Sequence, residues 1–155
     1  MGVKVNSKTE TRPGKILEIS AVSNPRIKSI RALSHKKTRD QQGTFLVEGL
    51  KLVRDAFEGG WQIEIIIHAD NGDIRSDVEG LAAQVRVKGA DILLVGQKVL
   101  SSITRKDNPQ TVLAVIKQRW AEAPKKITDN ATVWIALDRV RDPGNLGTII
   151  RTADS

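Results

Sequence analysis

The 155-residue sequence contains no cysteine and no tyrosine. Without thiols the chain forms no disulfide, has no thiolate nucleophile and builds no cysteine-ligated zinc site, and two histidines, His35 and His68, do not amount to a metal-binding cluster. Aromatic residues make up 3%, so a sheet that stacks RNA bases on exposed rings is not expected. Long apolar runs are missing as well. The longest, Ile65-Ile66-Ile67 and Ile92-Leu93-Leu94-Val95, fall far short of the ~20 residues of a membrane helix, and no apolar stretch follows the N-terminus as a signal peptide requires. These absences together fit a protein of the reducing cytoplasm.

What the chain has in excess is positive charge. Its 25 Lys and Arg against 18 Asp and Glu leave a net charge of +7. The excess is uneven: residues 1–60 carry 12 cations and 6 acids, residues 61–120 carry 8 and 7, and residues 121–155 carry 5 and 5. A polyanionic partner, RNA above all, is therefore expected to meet the first third of the chain, mainly through phosphate and sugar.

With 39% hydrophobic residues the chain can bury a core, and its length suits one domain plus part of another. Residues 1–15 are polar and read as a disordered basic arm. Asn24-Pro25 reads as a helix start, an Asx cap followed by proline at the first helical position, and a helix of about ten to fifteen residues should follow. Phe45-Leu46-Val47 reads as a short strand, and Leu50, Val53 and Phe57 fall at helical spacing before Gly59-Gly60. Further alternation predicts a strand at 61–68, a helix at 77–88, a strand at 92–95, a short helix at 97–103 and a strand at 111–116. The fold class is α/β. A polar stretch at 119–130 has linker composition, so the organisation expected is a 16–118 domain, the linker, and a second unit at 131–155.

Three segments could carry chemistry. From Arg26 to Arg39 there is no acid, and on one continuous helix Lys28, Arg31, His35 and Arg39 share the face opposite Ile27, Ile30 and Leu33; with Lys36 and Lys37 they form a candidate RNA surface. A second candidate is the loop Arg105-Lys106-Asp107-Asn108-Pro109-Gln110, whose cations Arg105 and Lys106 and amides Asn108 and Gln110 suit phosphate and ribose. The third is the segment from Leu137 to Ala153. A buried strand from Thr132 should end at Asp138, a Pro-Gly turn follow, and a helix open near Asn145 with free N–H groups. Arg151 then lies one turn after Gly147 on the same face, with Gly147 leaving room for a substrate backbone. Neither a P-loop nor a Gly-x-Gly-x-x-Gly fingerprint is present.

The run Asn145-x-Gly147-x-Ile149-x-Arg151-Thr152-Ala153, preceded by Leu137-Asp138 and Asp142-Pro143, resembles the first motif of the SpoU-type 2′-O-ribose RNA methyltransferases of the knotted SPOUT superfamily. Phe45-Leu46-Val47-Glu48-Gly49 and Asn108-Pro109-Gln110 resemble that family's substrate-recognition domain, which is similar in fold to small ribosomal proteins. The resemblance implies an α/β/α RNA-binding domain, a linker and the first β-α unit of a trefoil-knot methyltransferase domain. It implies ribosomal RNA as substrate, S-adenosylmethionine as cofactor in the full-length enzyme, a homodimer there, and Arg151 and Asn145 at the reacting ribose. The family's two cofactor-binding motifs would lie beyond Ser155, so this chain is expected to lack a cofactor site and to be inactive alone. The alternative is a stand-alone RNA-binding module without catalysis.

Overall fold

β-branched and aliphatic runs make the strands of the first unit, and amphipathic segments between them make helices that cover both sheet faces. The computed structural model describes residues 12–69, 76–104, 111–122 and 135–154. The chain divides into two units, residues 1–119 and 120–155.

In the first unit the order is β1 (Ile16–Ile19), α1 (Pro25–Ala32), α2 (Lys36–Gln42), β2 (Thr44–Glu48), α3 (Leu50–Glu58), β3 (Ile63–Ala69), α4 (Ser76–Val87), β4 (Asp91–Val95), α5 (Gln97–Thr104) and β5 (Val112–Lys117). The five strands form one sheet in the order β1-β4-β3-β5-β2. β1, β4 and β3 are parallel, whereas β5 runs antiparallel to both β3 and β2.

Alternation along the strands sends side chains to two cores. Leu113 and Val115 of β5, Ile67 of β3 and Leu93 of β4 pack with Ile27 and Ile30 of α1 and Leu100 of α5. Val112, Ala114 and Ile116 point the other way, to Val53 of α3 and Leu81 and Val85 of α4. The result is a three-layer α/β/α arrangement, the fold class expected. Each buried valine, leucine or isoleucine among them contributes roughly 1.5–3 kcal/mol relative to exposure. A register shift between Ile63 and Ile65 places Ile63 on the same side as Ile66, so the bulge keeps both in the α3–α4 core.

Three expectations need correction. The polar arm does not run to residue 15: Gly14 is buried, its amide donates to the Arg86 carbonyl (3.0 Å), and the Arg86 Nε donates back to the Gly14 carbonyl (2.9 Å). A Cβ on Gly14 would stand 1.9 Å from the Ala90 carbonyl oxygen, so only glycine fits there. β1 follows at once, a strand not anticipated in the sequence.

The single helix expected after Pro25 is two helices. α1 tightens at its end, where the amides of Leu33, Ser34 and His35 bond the carbonyls of Ile30, Arg31 and Ala32, and His35 turns extended (φ −91°, ψ 131°) before α2. Finally, the described part of the strand expected at 132–138 is no strand. Ile135 and Leu137 are exposed, because among the described residues of that unit no strand lies beside them.

Candidate nucleic-acid interface

α1 starts as expected: the Asn24 side chain accepts from the Arg26 amide (2.9 Å), and Pro25 occupies the first turn. Burial of Ile27, Ile30 and Leu33 leaves Lys28 exposed and Arg31 half-buried. The break at 33–35 then separates His35, Lys36, Lys37 and Arg39 onto α2, so the stripe Lys28-Arg31-His35-Arg39 does not exist as one helical face. The two helices remain tied by the Gln42 amide donating to the Ser29 hydroxyl (3.4 Å).

The cations of this region divide by what they touch. Arg26 meets Asp91 at 2.8 Å, and the second Asp91 oxygen accepts from the Lys15 amide at 2.9 Å. Burial works to raise the Asp91 carboxyl, but the Arg26 and Lys15 hydrogen bonds and the charges of those two residues outweigh it and hold Asp91 below its ordinary value. Lys36 pairs with Asp40 one turn on, at 2.7 Å, both exposed.

Arg39 is turned inward: its Nη1 donates to the carbonyls of Leu33 (3.0 Å) and Ser34 (2.9 Å), capping the end of α1. Arg39 is thus half-buried with its Nη1 engaged at the end of α1, not part of an open face shared with Lys28 as on one continuous helix. Among the described residues, Lys28, Arg31, His35 and Lys37 meet no acid. Arg105, Lys106, Asn108 and Gln110 lie outside the described residues.

Sequence reasoning missed Asp91 and Glu48. The Arg26–Asp91 pair spans 65 residues and has no local signature. Glu48 ends β2 and lines a cleft with Arg31 and Arg39 at the α1 end.

In the second unit, α6 (Pro143–Ala153) begins earlier than expected. Asp142 is its N-cap, and its carboxylate accepts from the Asn145 amide at 2.7 Å. That N–H is consequently engaged rather than open to a ligand. Arg139, in the turn before the helix, has a left-handed backbone (φ 54°), which costs a non-glycine residue roughly 1–2 kcal/mol. Along α6 the Thr148 hydroxyl donates to the Gly144 carbonyl (3.0 Å) and accepts from Arg151 Nη2 (3.2 Å). The space at Gly147 is taken by Arg151 itself, since a Cβ there would meet Arg151 Nη1 at 3.3 Å. None of residues 135–154 is buried. The described residues of this unit thus wall off no pocket for an adenosine-bearing cofactor, and no part in holding one is assigned to them.

The profile of the MRM3-like substrate binding domain matches residues 24–114, more than half of the chain. The chain belongs to this family. Its match runs from α1 to the first half of β5, and so takes in the basic helices and every strand of the sheet except β1 and the end of β5. The chain is similar to the 23S rRNA (guanosine(2553)-2'-O)-methyltransferase RlmP of Bacillus subtilis, at 32% identity over 89% of this chain and 50% of that protein. Among solved structures it is similar to the AdoMet-bound rRNA methyltransferase from Sinorhizobium meliloti, with 45% identity, a TM-score of 0.79, and coverage of 91% of this chain and 51% of that one. The SpoU methyltransferase AviRb from Streptomyces viridochromogenes, in complex with AdoMet, gives 26% identity and a TM-score of 0.64 over 84% of this chain and 49% of that one. The chain spans about half the length of the curated relatives it matches. Among the described residues no helix is long and apolar enough to cross a membrane.

Proposed function

We propose that this MRM3-like domain recognises ribosomal RNA for 2′-O-ribose methylation, and that residues 131–155 are the opening element of the catalytic domain that performs it. The observation that carries the reading is the extent of the likeness. An rRNA methyltransferase structure covers 91% of the chain at 45% identity, more than the first unit alone supplies. Lys28, Arg31, His35 and Lys37, which pair with no acid among the described residues, are the RNA-contacting part in this reading. Arg105, Lys106, Asn108 and Gln110 extend it in this reading.

In the assembled enzyme, a homodimer in this reading, S-adenosylmethionine supplies the methyl group. Arg151 and Asn145 sit at the ribose. A guanidinium keeps its proton at neutral pH and is a poor base, so the role of Arg151 in this reading is to orient phosphate and stabilise the developing alkoxide.

Titrating the 155-residue chain against single-stranded ribosomal RNA fragments at several salt concentrations tests the binding half. Three or four phosphate contacts give a slope of log K on log salt of about −2 to −3, at ~0.7 per contact. The double variant Lys28→Glu/Lys37→Glu should weaken binding and flatten that slope. Parent-like affinity and slope would place the RNA on another face.

A further inference from the structure

Glu64 is the one acid in β3, set in an aliphatic run. Ile63 pairs with Ile116 and Ile65 with Val115, so Glu64 is the extra residue of the bulge. Bulges re-aim side chains, and this one brings Glu64 to the same side as Ile65, where both line a pocket of about 230 Å³ against α1. The carboxylate is half-buried, and among the described residues it meets no cation and no hydrogen-bond donor. Folding does not explain such a group, because a charge taken partly out of water without a partner costs stability.

The rest of the lining is mixed. Ile30 and Val115 supply apolar wall, while Ser29, Gln42 and the nearly buried Thr44 supply polar groups. The Gln42 amide gives one N–H to the Ser29 hydroxyl at 3.4 Å and keeps a second. Arg26 lines the pocket too, with its Nη1 on Asp91. The pocket therefore adjoins α1 and α2, the helices that carry Lys28 and Lys37.

We propose that this pocket reads one unstacked guanine of single-stranded RNA, Glu64 accepting from the base N1–H and from its exocyclic amino group, an inference that rests on the RNA-binding reading above. An ionised carboxylate only accepts, so it repels a phosphate and selects a base edge by its donors. Guanine offers two adjacent donors on its Watson–Crick edge. Adenine and cytosine place a lone pair beside their amino group, and uracil flanks its single N–H with two carbonyls, so each of these sets an acceptor against the carboxylate. The second Gln42 N–H then suits the guanine O6, and the aliphatic wall suits the ring faces. Splayed bases read on this edge are the usual means of sequence recognition in single-stranded RNA, and a cavity of ~150 Å³ already holds one benzene ring.

The test titrates the 155-residue chain with three strands of about eight nucleotides, within the ~4–16 of known single-strand sites: oligouridine carrying one central guanosine, inosine or adenosine. All three carry the same phosphates, so their salt slopes should agree. The guanosine strand should bind roughly 5- to 150-fold more tightly than the adenosine strand, the ~1–3 kcal/mol of a bidentate base contact, and inosine, which lacks the amino group, should fall between them. Glu64→Gln, of the same size, should bring the three strands within a few-fold of one another. Should that variant fail to fold, Gln42→Ala, an exposed change at the end of α2, should narrow the gap between guanosine and adenosine. Salt-dependent binding that is equal for all three strands, or a guanosine preference unchanged in the folded variants, overturns the guanine pocket alone. Inosine bound as tightly as guanosine overturns the two-donor contact. Absence of salt-dependent binding to any strand overturns the RNA-binding reading, and the pocket with it.

Discussion

Arg151 lies back over Gly147, its Nη1 filling the space in which an alanine Cβ would make a 3.3 Å contact, while Nη2 is held by the Thr148 hydroxyl at 3.2 Å. The glycine therefore makes room for the guanidinium of its own helix, and the hydroxyl sets the direction in which the remaining donors point. Thr148 and Arg151 are exposed and Gly147 is half-buried, so packing gains little there.

Gly147→Ala should leave folding intact or raise stability by up to ~1 kcal/mol through helix propensity, because the atom in the way is the end of a flexible side chain. In a full-length enzyme the same change should lower kcat by displacing the guanidinium. Arg151→Ala should lower kcat by ~10²- to 10³-fold with the melting temperature unchanged. Steady-state kinetics alongside thermal melts separate these outcomes; an Arg151→Ala protein that unfolds makes this arginine a structural residue.

Asp91 joins three elements, accepting from Arg26 of α1 and from the Lys15 amide just before β1 while it opens β4. Asp91→Ala should cost about 1.5–3 kcal/mol at pH 7, the range for hydrogen bonds to a charged group. Arg26→Ala should cost under about 1 kcal/mol, since its side chain is 47% exposed and water screens the pair.

The pH dependence of that difference follows from the direction of the Asp91 shift. A carboxyl held below its ordinary value stabilises the fold above the unfolded pKa of ~3.9 and loses that contribution as pH falls through the lower folded value. Urea melts of the parent and of Asp91→Ala should thus differ steadily from pH 7 to about 5 and converge in more acidic buffer. A gap that widened on acidification would contradict the assignment.

Two glycines should respond in opposite senses. Gly80 lies mid-way along α4 with nothing within 4 Å of a built Cβ, so Gly80→Ala should stabilise by up to ~1 kcal/mol. Gly14→Ala drives a Cβ into the Ala90 backbone at 1.9 Å, and overpacking of that kind costs about 1–3 kcal/mol or more. Paired denaturant midpoints check both.

Much of this architecture is legible in the sequence, for reasons visible at individual positions. The strands β2 to β5 and the helices α3 to α5 announce themselves through aliphatic periodicity that local chemistry does not oppose. β1 escapes because four residues, Ile16–Ile19, owe their strand state to β4 far along the chain. Asn24-Pro25 correctly marks a helix start, and Asp142-Pro143 carries the same signal, yet the Pro-Gly pair after Asp142 reads as a turn and hides it. The basic residues of the candidate RNA surface are easy to find, but their roles are not. Whether a cation meets solvent, an acid or a carbonyl depends on Asp91 and on the break at 33–35, neither of which leaves a local mark. The Glu48 cleft exists only once β2, α5 and the end of α1 are brought together.

The strand order β1-β4-β3-β5-β2 also sets a schedule for a chain leaving the ribosome. Both edges of the sheet, β1 and β2, are made before its middle, and β5, which separates β3 from β2, is made last. Lys15 and Asp91 are 76 residues apart. At ~5–20 residues per second, β1 emerges about 4 to 15 s before the strand it pairs with, and β2 waits similarly for Lys117. The nascent chain therefore carries two aliphatic edge strands with unpaired backbones until nearly the whole first unit has been synthesised. Arrested chains ending between β4 and β5 should bind trigger-type holding chaperones and aggregate on release, whereas chains that extend past Lys117 should fold in one cooperative step.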